Sequence, residues 1–494
     1  MATANQGFCD GTNPLKNARR NTGAKLVIYQ STRGEAPDLD FQEVLLTGLA
    51  RDGGLYVPTS LPDQDLSGLQ GLDYPTMAAR ILSGFTGGSP SEAELLAMTR
   101  PAYGDFAHSA VAPMKQIGPG DWLMELFHGP TLAFKDFALQ VLGRLFDHAL
   151  KAKGERVTIL GATSGDTGSA AIEGCRGRDA VDIFILYPKG RVSEVQRRQM
   201  TTVNDENVHC IAVDGDFDDC QALVKAAFGD LDFRDRLQLS AVNSINWARV
   251  AAQIVYYFHG ALALGGNADR PVSFSVPSGN FGNVFAGHVA RAMGAPIGQF
   301  VVGANMNDIL HRFVATGSYR KDGVTPTMSP SMDIQVASNF ERLLFELCGR
   351  DGGRVRGLIS SLSQSGGFDM DTDTQKLVSR GFTSARVDEE ATLQEIRRIH
   401  AETGEVIDPH SAVGTASARQ ARASGAIPSE TPIISLATAH PAKFPDAVER
   451  AIGKRPALPE RMGDLMDRAE HASELPNDLV ALQKFVTERA RIAS

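Results

Sequence analysis

Apolar residues recur at Phe134, Ala138, Val141, Leu142, Leu145 and Ala149, the spacing of one face of an α-helix. The pattern predicts an amphipathic helix that opens at Lys135, with residues 127–130 as a strand end and a Gly-Pro turn before it. From about residue 120 onward the chain alternates between continuous apolar runs and helical spacing. Runs at 157–160, 181–186, 208–213, 272–276, 300–303 and 431–436 read as strands. Helices are predicted over 169–175, 193–200, 218–228, from near Gly282, over 388–403 and over 479–491. Unbroken apolar strands separated by helices imply parallel sheets covered on both faces, hence an α/β architecture.

The first hundred residues differ. Two short strands, at 26–29 and 55–58, accompany helical segments at 40–49, 75–83 and 91–99, which suits a small, mainly helical N-terminal domain. The organisation expected is a polar, disordered arm over 1–24, that domain over 25–100, and a catalytic region over 101–494. Within the last, a smaller α/β subdomain is expected at about 150–250. Residues 317–335 read as a loop, and 350–385 resist assignment.

Composition narrows the class. The chain has 494 residues, 43% of them hydrophobic and 22% charged, ordinary values for a soluble globular protein. A formal charge of −9 argues against nucleic-acid binding as the main business, since that needs a basic surface. Cys9, Cys175, Cys210, Cys220 and Cys348 are scattered, with no C-x-x-C pair. They read as reduced thiols, with neither a metal framework nor a disulfide scaffold. No apolar run reaches membrane-spanning length and no signal-type segment opens the chain, so a cytoplasmic location is expected.

Candidate chemistry gathers at strand ends. Lys135 falls at a helix start between Phe134 and Phe137, where the helix dipole and desolvation both favour a neutral amine. Such an amine suits a Schiff-base lysine or a general base, although a solvated surface lysine fits that segment alone as well. Ser278-Gly279-Asn280-Phe281-Gly282-Asn283 links a buried strand to a helix and could cup a phosphate with backbone N–H groups, or be only a tight turn. Thr163-Ser164-Gly165-Asp166-Thr167-Gly168 repeats that setting with an acid in it. Asn243-Ser244-Ile245-Asn246-Trp247-Ala248-Arg249 leads an arginine into an apolar helix, where it needs an anion. The last strand ends in Ala437-Thr438-Ala439-His440-Pro441-Ala442-Lys443-Phe444.

A lysine of this kind, two anion-holding loops and a strand-end hydroxyl together suggest pyridoxal phosphate. In their order along nearly the whole chain, from Tyr29-Gln30-Ser31-Thr32-Arg33-Gly34 and Asp52-Gly53-Gly54 to His440-Pro441-Ala442-Lys443, these segments resemble the threonine synthase family. It is a fold type II group of pyridoxal-phosphate enzymes, similar to tryptophan synthase β. The likeness is to its longer fungal and bacterial subgroup.

That resemblance implies mostly parallel sheets flanked by helices in two subdomains, beside the small N-terminal domain. It makes Lys135 the Schiff-base lysine and general base. Gly279, Asn280, Phe281, Gly282 and Asn283 would hold the cofactor phosphate, Thr438 its ring nitrogen, and Asp166 would lie near its 3′-oxygen. It implies O-phospho-L-homoserine as substrate, with Asn243, Ser244, Asn246, Arg249 and Lys443 as candidates for its phosphate, and Ser164 and Thr167 for its carboxylate. A monomer or homodimer is expected, without a nucleic-acid or membrane partner. A phospholyase that releases a 2-oxo acid and ammonia, or a non-catalytic phosphometabolite-binding protein, would share many of these residues.

Overall fold

The computed structural model describes residues 27–492; the arm expected over 1–24 lies outside them. Six strands form the larger sheet, in the order Phe382–Arg386, Ile297–Ala304, Val272–Pro277, Ile433–Ala437, Asp121–Glu125 and Met114–Gly118. Every neighbouring pair is parallel except the last, an antiparallel hairpin. Five strands form the smaller sheet, in the order Ser473–Leu475, Val208–Val213, Val181–Pro188, Val157–Ala162 and Leu239–Ser240, all parallel. Val181–Pro188 is buried at every position, which is why its sequence is apolar without alternation save for Asp182, which Arg491 Nε pairs at 2.6 Å.

The strand–helix alternation over 150–250 thus supplies four strands of the smaller sheet, but its edge comes from the far end of the chain. Helix Leu479–Arg489 follows that edge strand and packs Leu482, Phe485 and Val486 against Leu160, Phe184 and Ile211.

The N-terminal part pairs Tyr29–Ser31 with Tyr56–Pro58 antiparallel and is otherwise helical, over Phe41–Thr47, Leu66–Leu69, Tyr74–Ser83 and Glu92–Gly104. Its anchor is Arg342 on helix Phe340–Leu347. This fully buried guanidinium donates to Tyr56 O at 2.9 Å and Ile245 O at 2.6 Å, so one side chain ties three segments together.

Residues without a clear pattern prove to be structured. The loop expected over 317–335 contains strand Ser318–Arg320, paired antiparallel with Gly367–Asp369, and a 3-10 turn at Pro330–Met332. Residues 350–385 hold helices Gly352–Gln364 and Thr372–Ser379 and lead into the edge strand Phe382–Arg386. That strand is only half buried, so it lacks the continuous apolar run that marks its neighbours. Helix Pro409–Ala423 also escapes periodicity, because its buried face is built from Ser, Thr, Ala and Gly as much as from larger apolar residues. Among the described residues no helix is long and apolar enough to cross a membrane, and no cluster of His, Cys, Asp or Glu could hold a metal ion.

Candidate active site

Lys135 opens helix Lys135–Lys153, as the apolar spacing predicts. The turn before it is sewn onto the segment that leaves the central strand Ile433–Ala437. Phe134 N donates to Thr438 O at 2.9 Å, and His440 N donates to Leu132 O at 3.0 Å. Lys135 and Thr438 are thereby brought side by side at the carboxyl end of the larger sheet, where parallel-sheet proteins bind ligands.

The smaller sheet meets this point through helix Asp166–Cys175, which begins three residues earlier than the sequence suggests. Asp166 is therefore the first helical residue, where the loop passes into the helix. This helix crosses the Lys135 helix at two glycines. A Cβ on Gly143 would run into Gly174 O, and one on Gly174 into Leu139 O. The close crossing puts Asp166 Oδ2 3.0 Å from Lys135 Nζ.

The Asp166 carboxylate is saturated with partners. Its Oδ1 accepts from Lys443 Nζ and from Gln196 Nε2, each at 2.8 Å, while Ser331 Oγ donates to Oδ2 at 3.3 Å. Burial alone would raise the Asp166 carboxyl, but the Lys135 and Lys443 ammonium groups and the Gln196 amide hold it well below the ordinary carboxylate range. Burial lowers the Lys135 ammonium, with Asp166 pulling the other way and Lys443 and Arg249 adding like-charge repulsion. The Phe134 ring centroid lies 5.2 Å from its nitrogen. Lys443 is fully buried and also donates to Thr131 O at 2.8 Å.

The second loop, from Ser278 to Asn283, carries no charge at all. Gly279 is required there, because a Cβ would run into Ser331 O. Phe281 is left-handed (φ 61°) just before helix Gly282–Ala292, an uncommon conformation for a bulky residue. Its ring is held by Phe340, 5.5 Å away between centroids, and Phe382, 6.3 Å away. Asn280 is exposed, and its carbonyl takes the N–H of Asn339. Asn283 Oδ1 accepts from Tyr256 and Tyr257 hydroxyls, both at 2.7 Å, yet Asn283 Nδ2 and Ser278 Oγ are buried without a protein partner. No side chain caps this helix, nor those starting at Lys135 and Asp166. Uncapped N-termini with orphaned buried polar atoms suit a phosphate. The residues present therefore fit pyridoxal phosphate: an amine, a hydroxyl at a strand end and a charge-free phosphate cradle.

Arg249 lies in helix Trp247–Ala263, 3% exposed, with Nε and Nη1 lacking any protein partner. Burial pushes its guanidinium down to about 10. Asn246 starts that helix. Its Oδ1 takes the N–H of Ala248 at 3.0 Å and its Nδ2 donates to Leu45 O at 2.8 Å, so both ends of its amide are used within the protein. Asn243 Oδ1 receives the Ile245 N–H, and the Ser244 and Ser338 hydroxyls lie 3.3 Å apart. Ser164 is exposed and Thr167 half-buried at the start of the Asp166 helix.

Sequence reasoning overlooked Thr163, whose hydroxyl takes the N–H groups of Gly165 and Gly168 at 3.0 and 2.8 Å and so shapes the loop that bears Asp166. It takes Ser278 only as backbone of the phosphate cup and gives Gln196 and Ser331 no part in the site. Ser278, adjoining the glycine cup, was findable; the other two reach the site from segments with no local signal.

Three family models match in chain order: threonine synthase N terminus over residues 28–103, pyridoxal-phosphate dependent enzyme over 112–361, and threonine synthase, C-terminal, over 411–486. Threonine synthase of Pseudomonas aeruginosa is 53% identical across 93% of this chain and 98% of its own. A crystal structure of threonine synthase from Brucella melitensis with pyridoxal phosphate bound superposes with a TM-score of 0.91 at 51% identity, covering 94% of this chain and 100% of that one. The yeast threonine synthase structure gives 0.89 at 39% identity, over 95% and 99% of the two chains. The two mostly parallel sheets accordingly form the fold type II arrangement. The chain belongs to the threonine synthase family of pyridoxal-phosphate-dependent enzymes.

Proposed function

We propose that the chain converts O-phospho-L-homoserine and water to L-threonine and phosphate, with Lys135 as the lysine that carries the cofactor and moves protons. The observation that carries the substrate assignment is Arg249. A buried guanidinium with two unpaired nitrogens demands an anion, and the charge-free Ser278–Asn283 loop already accounts for the cofactor phosphate. A second phosphate, on the substrate, meets that demand.

Gly279 through Asn283 hold the cofactor phosphate through backbone N–H groups and Asn283 Nδ2, with Ser278 Oγ beside them. Thr438 offers the ring nitrogen a neutral hydroxyl. Bound pyridoxal phosphate supplies an electron sink for charge released at the substrate's Cα and Cβ. Lys135 Nζ takes the proton from Cα. Loss of a Cβ proton lets phosphate leave Cγ; Cγ then receives a proton, water adds its oxygen at Cβ and releases a proton, and Lys135 Nζ returns a proton to Cα. Arg249 holds the substrate phosphate, with the Asn243 and Ser244 side chains beside the same helix start. Asn246 contributes by fixing that start. Ser164 and Thr167, at the uncapped Asp166 helix, bind the substrate carboxylate. Lys443, already committed to Asp166 and Thr131 O, keeps Asp166 ionised beside Lys135, so Asp166 can hold a proton-bearing group near the cofactor's 3′-oxygen.

Product analysis tests this reading. Purified enzyme supplied with pyridoxal phosphate and phosphohomoserine should release threonine and phosphate in equal amounts. A 2-oxo acid with ammonia as the main product would replace it with the phospholyase reading.

A further inference from the structure

We propose that Ser331 is a positioning residue that registers the Asp166 loop of the smaller sheet against the Gly279 loop of the larger one, and that His410 and Asp333 hold it in place. The proposal deepens the reading above, on which it rests for the identity of the two loops. Ser331 sits in the 3-10 turn Pro330–Met332, and each of its polar groups is engaged elsewhere. Its hydroxyl donates to Asp166 Oδ2 at 3.3 Å. Its carbonyl oxygen occupies the space that a Cβ on Gly279 would need. Its N–H donates to His410 Nε2 at 3.2 Å.

The last bond sets a condition on His410. Nε2 can accept only in the neutral tautomer that carries its proton on Nδ1. Asp408 enforces that tautomer, because its Oδ1 lies 2.8 Å from His410 Nδ1. The dyad is 3% and 0% exposed. Asp408 is itself fixed by capping helix Pro409–Ala423, where it takes the N–H of His410 at 2.9 Å and of Ser411 at 3.2 Å.

The other anchor is Asp333. Its Oδ1 accepts from Asn305 Nδ2 at 2.8 Å, Asn307 Nδ2 at 2.9 Å and Thr327 Oγ1 at 2.7 Å, and its Oδ2 accepts the Thr327 N–H at 2.8 Å. Asn305 and Asn307 directly follow strand Ile297–Ala304, so the segment from Thr327 to Asp333 is closed onto the end of the larger sheet. Both anchors thus belong to the larger-sheet side, whereas the Ser331 hydroxyl reaches Asp166 on the smaller-sheet side. A small side chain between two well-held ends can transmit the position of one loop to the other.

Three variants test this, with two readouts on the cofactor-free protein and steady-state kinetics on the loaded enzyme. His410→Ala removes the acceptor and should speed amide exchange over 327–333 by about tenfold, and weaken pyridoxal phosphate binding, followed by absorbance titration, about fivefold, the scale of one neutral hydrogen bond. His410→Gln offers Oε1 as a replacement acceptor and should restore both to within about twofold. Ser331→Ala keeps the backbone contacts, so exchange should stay as in the wild type while kcat falls about fivefold at unchanged KM. Equal damage from His410→Ala and His410→Gln would overturn the proposal, as would a Ser331→Ala enzyme with wild-type kcat. Exchange that responds as expected, with cofactor affinity unmoved in every variant, would confirm the latch and overturn instead the assignment of the Gly279 loop to the cofactor.

Discussion

The two glycine-rich loops share one construction and differ in what they leave open. Thr163–Gly168 and Ser278–Asn283 each follow a buried parallel strand and each open a helix with no side-chain cap. Most other helices have caps, from Asp40, Asp73, Ser91, Asp216, Asp388, Asp408 and Asp478 among others, although those starting at Ile309, Phe340 and Pro445 also lack one. In the first loop the chain itself satisfies the charge it introduces: Asp166 has two lysines, a glutamine and a serine around it. In the second, buried polar atoms of Ser278 and Asn283 are left without partners. The saturated Asp166 carboxylate positions its neighbours; the unsatisfied atoms of Ser278 and Asn283 bind. Withheld caps mark both, but only orphaned donors tell them apart.

Five substitutions, the last followed across pH, can break or sharpen that contrast. Lys135→Ala should have the largest effect, removing both turnover and the visible absorbance of the bound cofactor; a coloured, active variant would dissolve the site. Asp166→Asn comes next. It leaves the buried Lys443 ammonium without its anion, and breaking a buried ion pair costs about 3–5 kcal/mol. Urea melts should show a loss on that scale, and turnover should fall about 100-fold or more. Arg249→Ala should raise KM for phosphohomoserine about 10–100-fold, the weight of charge-assisted hydrogen bonds, while cofactor affinity in an absorbance titration stays within about twofold. Equal loss of both would make Arg249 structural.

Gly279→Ala should act first on the other loop. Its Cβ meets backbone rather than a movable side chain, and overpacking of that kind costs about 1–3 kcal/mol. Pyridoxal phosphate affinity should drop about tenfold, while the Lys135, Lys443 and Gln196 contacts of Asp166 stay in place and only its bond from Ser331 is disturbed. The smallest effect concerns Asp136, whose buried carboxyl is raised to about 6 despite hydrogen bonds from Thr131. Between its ordinary value of 3.8 and about 6 the folded protein keeps a proton that the unfolded chain has lost. Its contribution to stability is therefore present at low pH and disappears as pH rises through that window. Asp136→Asn should flatten this part of the wild-type stability–pH curve, measured by denaturant melts.

Much of this was legible in the chain because it is local. The Lys135 helix shows its period, and the strand ends with their glycines show where ligands bind. Asn246 is a phosphate candidate only through the family resemblance, and the helix cap and the bond to Leu45 O occupy both ends of its amide. Lys443 was noticed as a cation, yet its partners Asp166 and Thr131 are hundreds of residues away in sequence, so its commitment to them could not be read. Ser331 was wholly illegible. Its placement depends on His410, Asp333 and Gly279, and none of these leaves a periodic trace. The sequence suggests too late a start for helix Asp166–Cys175 because Gly165, Thr167 and Gly168 read as loop residues; the Thr163 hydroxyl supplies the bonds that let the helix begin among them.

The central claim is that Lys135, between a saturated loop and an open one, carries the cofactor. Borohydride reduction of the loaded enzyme would fix pyridoxal phosphate to whichever lysine holds it, and peptide mass spectrometry would then locate the label. The account predicts a phosphopyridoxyl group on the peptide containing Lys135. A label on Lys443, the other buried lysine of the site, would contradict it.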